Sequence, residues 1–203
     1  MIGSPKSLAA QSIDVRVLGP HWTRASLVQL FANGQVIREA KIPELTDAPL
    51  PMGTKWVGGW TIPKPRHDVH LVAIATGPGI DGLYWRTAKP YQPDSSDWNS
   101  RTIGCSGAVW LDVDHDHRRT SAREYAERLV AAAENDWAKL VASLSIYDEA
   151  VAAQTAHLVR ISGTSLQFEP LLMALKTGRP ATQSGFRAYG EAWRENEIAR
   201  SKP

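Results

Sequence analysis

The sequence predicts an α+β protein: an immunoglobulin-like antiparallel β-sandwich followed by a small helical bundle. Three observations predict it. Apolar residues alternate with polar ones in the first half, as Ile13, Val15 and Val17 do around Asp14 and Arg16, and this is the period of a half-buried strand. An Asn33-Gly34 pair separates two further apolar runs. That pair is a strong hairpin signal, because both turn positions need positive φ. After Ser121 the period lengthens to that of a helix. The expected organisation is a flexible N-terminus over 1–11, a β-sandwich domain over 12–118, and a helical region over 119–200 packed on or beside it.

The elements follow in order. Strands are expected around Ile13 to Val17, from Leu27 to Ala32 and from Gln35 to Ile42. Three prolines mark Pro43 to Pro51 as a loop. Lys55 to Ile62 reads as a strand, with Gly58 and Gly59 suggesting a bulge. His67 to Thr76 reads as a strand buried on both faces, ended by Gly77-Pro78-Gly79. Gly82 to Gly107 is a long irregular stretch holding Tyr84, Trp85, Tyr91 and Trp98. Ala108 to Val113 is the last strand. Helices are expected over Ser121–Glu134, Asp136–Leu144, Ile146–Ile161, Leu166–Leu175 and Ala181–Ala199, with a frayed tail from Glu197. Ser121 and Glu124 have the spacing of a capping box, and Tyr125, Leu129 and Ala132 share the apolar face of the first helix.

Composition sets the bounds. At 203 residues the chain can bury roughly 70% of its unfolded surface, so the core needs no disulfide or metal staple. With 43% hydrophobic and 22% charged residues it is neither a disordered chain nor a coiled coil. The longest apolar run, near Leu71 to Ala75, is too short to span a membrane. The net charge of +2 comes without a basic stripe, so nucleic-acid binding is not expected. The N-terminus lacks the apolar centre of a signal peptide. Cys105 is the single cysteine. It reads as a small buried hydrophobe rather than a nucleophile.

The sharpest feature is Asp112-Val113-Asp114-His115-Asp116-His117, between the last strand and the first helix. Carboxylates this close raise one another's pKa, and a cation relieves the repulsion. Calcium takes six to eight hard oxygens. Asp112, Asp114 and Asp116 stand at the first, third and fifth places of an EF-hand-like loop, and Arg118 would offer its carbonyl at the seventh. The sixth place, where glycine makes the turn, is His117. The twelfth is Arg123, so closure falls to Glu124, reaching back from the first helical turn. The competing reading is a solvated acidic turn in which Asp116 caps the helix region.

His115 and His117 with Asp112 could instead begin a transition-metal site of a small phosphoesterase. Only His157 lies downstream. His67, His70 and His21 read as structural. Eight Trp against three Phe would make a carbohydrate or protein platform if exposed and sandwich core if buried, and core is the favoured reading. Trp193 is expected to anchor the last helix.

The run of motifs is an Asn-Gly hairpin in LVQLFANGQVIREAKI, then HDVHLVAIATGPG, LYWRTAKPYQP and GAVWLDVDHDHRRTSAREYAERLV. Over about residues 12 to 160 it resembles the C-terminal accessory region of carbaryl-hydrolase-type (CehA/McbA) metallohydrolases of the polymerase-and-histidinol-phosphatase superfamily. The resemblance implies a β-sandwich, a strand entering an Asp-rich turn, and a helical tail. It also implies a non-catalytic role beside a catalytic metallohydrolase domain or chain, often in an exported protein. The family's metals sit in an N-terminal domain, so no catalytic residue carries over. The family's D-x-D-G-D-G becomes D-V-D-H-D-H here, with His115 and His117 in place of both glycines.

Overall fold

The structure is a computed structural model, and it describes residues 10–44, 50–80, 82, 86 and 99–201. Tyr84, Trp85, Tyr91 and Trp98, nearly all of the N-terminal segment and part of the 43–51 loop therefore lie outside the described residues. Among the described residues the fold is α+β: seven strands in two antiparallel sheets, followed by five helices. The chain divides into two compact units. One comprises Met1–Lys64 and His70–Val109, and the other Pro65–Val69 and Trp110–Pro203. The acidic run thus groups with the helices.

In the first unit, β1 (Gln11–Leu18) pairs with β4 (Thr54–Ile62) as a two-stranded sheet. Its inner face is made of facing residues: Ile13 opposite Trp60, Val15 opposite Gly58, Val17 opposite Trp56. The expected bulge at Gly58-Gly59 is absent, and the register slips instead at Val17/Leu18. Gly58 has a different cause. A Cβ there would lie 2.4 Å from the Trp56 ring, so the glycine gives that ring its seat.

The second sheet runs β3 (Gln35–Lys41), β2 (Leu27–Ala32), β5 (Val69–Pro78), β6 (Arg101–Cys105), with β7 (Val109–Leu111) paired to β5. Asn33 and Gly34 turn the β2–β3 hairpin with φ of 46° and 87°, the left-handed pair the dipeptide favours. Two expectations fail here. Residues 101–105, read as irregular, form a strand. Cys105, read as buried, is exposed, because the end strand β6 leaves most of its side chains in solvent.

In the second unit the helices are α1 (Ala122–Ala133), α2 (Trp137–Ser143), α3 (Glu149–Ile161), α4 (Glu169–Thr177) and α5 (Pro180–Ser201), with a 3₁₀ turn over Leu144–Ile146. Ser121, Asp136 and Asp148 cap the first three, each satisfying an otherwise unpaired first-turn amide. The apolar face of α1 is Tyr125, Ala126 and Ala133, while Ala132 is exposed. The core is Tyr125, Leu140, Leu144, Val151, Ala156, Val159, Leu171 and Phe186, among others. α5 lies close on α3 through Gly185, where a Cβ would sit 2.5 Å from the Glu149 carbonyl oxygen. Thr182, Gly185 and Phe186 dock α5. Trp193 is 36% exposed and does not anchor it. α5 stays helical through Ser201, past the point where fraying was expected. No helix among the described residues is long and apolar enough to cross a membrane.

Candidate metal centre

β7 delivers the chain into Asp112 at its end, and α1 takes it up again at Ser121. Between them the acidic run folds on its own amides. His115 and His117 both donate backbone N–H to Asp112, at 2.7 and 3.0 Å to Oδ1 and Oδ2. Asp116 N–H donates to Asp114 Oδ1 at 3.2 Å, and Arg118 N–H to Asp116 Oδ1 at 2.7 Å. Short Asp side chains favour such local bonds. His115 and His117 have φ of 61° and 60°. These left-handed residues curl the loop at the two places where glycine would turn most freely.

The residue that sequence reasoning missed is Asp68. It is 1% exposed. Its Oδ1 accepts from Val113 N–H at 2.8 Å and its Oδ2 from Thr120 N–H at 3.2 Å. One carboxylate thereby holds the loop's entry and its exit. Its own N–H donates to Tyr125 Oη at 3.2 Å, which ties it to α1. The available signal was an aspartate set just before the apolar run that starts at Val69, where a buried charge needs partners.

Asp68, Asp112, Asp114 and Asp116 each offer one carboxylate oxygen, all within 4.8 Å of one another, so the group could hold a metal ion. An oxygen that accepts one amide retains a lone pair. Asp112, Asp114 and Asp116 therefore come together as the spacing predicted. Arg118 meets the group through its amide to Asp116. Glu124 is engaged elsewhere, its Oε2 accepting the Ser121 N–H at 2.7 Å while Ser121 Oγ accepts the Glu124 N–H. That is the expected capping box, and the cap is Ser121 rather than Asp116.

Within the group, the surroundings of Asp112 favour its ionised form. Desolvation pushes the Asp112 carboxyl up. Amide donation from His117 and His115, with the charge of their rings, outweighs it and leaves the pKa below its ordinary value. Donation from the Ser121 amide and then its hydroxyl holds Glu124 low. Neither histidine ring belongs to the four-carboxylate group. His117 is almost fully solvated, its Nδ1 4.0 Å from Asp112 Oδ2.

The remaining candidates fall into place locally. His67 is buried, its ring against Tyr125 and Tyr147 and its Nε2 3.2 Å from Asp148 Oδ2. His21 packs edge-on to Trp22. His157 Nδ1 lies 3.0 Å from Tyr189 Oη. The β-half tryptophans do not form a buried core among the described residues. Trp22 is exposed, and Trp56 and Trp60 are half-buried with ring centroids 5.4 Å apart.

No family model, curated protein or solved structure matches the chain.

Proposed function

We propose that the chain is a non-catalytic accessory domain whose strand-to-helix loop holds a structural calcium ion. The observation that carries this reading is the convergence of four carboxylates, Asp68 among them, around a loop curled by two left-handed histidines. An all-oxygen donor set suits a hard cation, whereas zinc selects nitrogen and sulfur. The absence of both imidazoles from the group weighs against the phosphoesterase reading built on His115 and His117. Bound calcium would offset the mutual repulsion of the aspartates and add its binding free energy to folding. The role beside a catalytic metallohydrolase domain or chain rests on the resemblance of the sequence motifs.

A thermal melt in chelator, then in calcium and separately in zinc, tests the reading. At calcium 100 times its Kd the gain is about 2.7 kcal/mol, which moves Tm upward by about 5–10 °C for a chain of this length. Asp114→Ala should lower Tm in calcium and leave it nearly unchanged in chelator. An equal loss in both overturns the cation site. A shift with zinc alone reopens the histidine-based hydrolase.

A further inference from the structure

A second site lies within the helical unit, away from the acidic loop. α3, α4, α5 and the α3–α4 connection border a cleft of about 730 Å³, a size that takes a small-molecule ligand. Its wall includes Leu166, Leu172, Leu175, Phe186 and Trp193. Leu172 and Trp193 are each 36% exposed, so large apolar surface faces this space. Arg160, Lys176, Arg187 and Arg194 also line it, and no lining residue is acidic. Among the described residues none of these four cations forms an ion pair with a carboxylate.

Arg160 is held in place before any ligand arrives. Its Nε donates to Tyr189 Oη at 2.7 Å, and its guanidinium lies 5.1 Å above the Trp193 ring. A fixed, weakly hydrated guanidinium over an aromatic face is suited to a planar anion. Gly190 keeps the cleft open from α5: a Cβ there would meet only Leu166 Cδ1, at 3.8 Å.

We propose that this cleft binds a fatty-acid-sized organic carboxylate, its apolar body against Leu172, Phe186 and Trp193 and its head group on Arg160 with Arg187. Charge complementarity selects the head group, because every charged side chain on the wall is positive. Apolar area selects the chain.

The test is equilibrium dialysis of the full chain with radiolabelled decanoate in chelator, which separates it from the cation loop. One decanoate per chain is expected. Arg160→Gln and Arg187→Gln should each weaken binding about tenfold, and uncharged decanol should bind at least tenfold more weakly than decanoate. Gly190→Leu fills the cleft from a helix position that tolerates leucine better than glycine. It should abolish retention while Tm stays at or above that of the parent. Four results overturn the proposal: no retention, decanol binding as tightly as decanoate, retention unaffected by Gly190→Leu, or a change of oligomeric state in that variant, which would make the cleft an interface between copies.

Discussion

Among the described residues, buried apolar side chains are distributed unevenly between the two units. In the β unit, among the described residues, they are Val28, Leu30 and Leu71 on the paired strands β2 and β5, with Ile42 and Ile62, while Leu18, Val36, Val57 and Ile103 stand exposed on the strands. In the helical unit they form one continuous cluster from Tyr125 to Phe186, tight enough that α5 meets α3 at a glycine. The β unit is specified by turn chemistry and register, the helical unit by interdigitation. Substitutions should therefore cost different amounts in the two, by different mechanisms.

The largest effect is expected in the helical cluster. Leu171 is fully buried, so Leu171→Ala should destabilise by about 2–5 kcal/mol through lost transfer energy and a residual cavity. Ile103 is 69% exposed, and Ile103→Ala should stay within about 0.5 kcal/mol. Urea unfolding followed by circular dichroism measures both. Similar midpoints for the two variants would break the comparison.

Asp68→Asn comes next and sharpens it. Asp68 is a polar clamp within the better-packed unit, accepting two backbone amides with its two oxygens. Asparagine keeps one acceptor and turns a donor toward the other amide. The cost in chelator should be about 1–3 kcal/mol, the price of a buried donor left unpaired. If the loop holds calcium as proposed, the loss in calcium should be larger, because a ligand goes as well. A loss that is the same with and without calcium would confine Asp68 to the clamp.

Much of the β unit was legible in the sequence because its signals are local. The alternation of Ile13, Val15 and Val17 and the Asn33-Gly34 turn each act within a few residues. The capping box of Ser121 and Glu124 was legible for the same reason. The rest depended on distant partners. Gly58 looked like a bulge, and only the Trp56 ring lying over it explains the glycine. Cys105 looked like core because small apolar residues often are, but the place of β6 at the end of its sheet decided its exposure. The spacing of Asp112, Asp114 and Asp116 located the acidic loop. The fourth carboxylate came from a segment far upstream, which no spacing within the loop could announce.

The smallest effect expected is an alkaline one, again in the helical unit. Tyr147 packs against Tyr125 and His67. Desolvation raises its phenol above the ordinary value, with nearby Arg128 opposing in part. The Tyr125 phenol is raised as well, first by desolvation. A raised folded pKa means the unfolded chain releases its proton first as pH climbs. Stability contributed by the neutral phenols is therefore complete below about pH 10, the unfolded value, and declines above it. Following tyrosinate absorbance during a pH titration, Tyr147→Phe should remove a late-titrating component and leave the early one intact. The same variant should lose stability less steeply above pH 10 than the parent. Removal of an early-titrating component instead would place Tyr147 in solvent and count against the tight packing that distinguishes this unit.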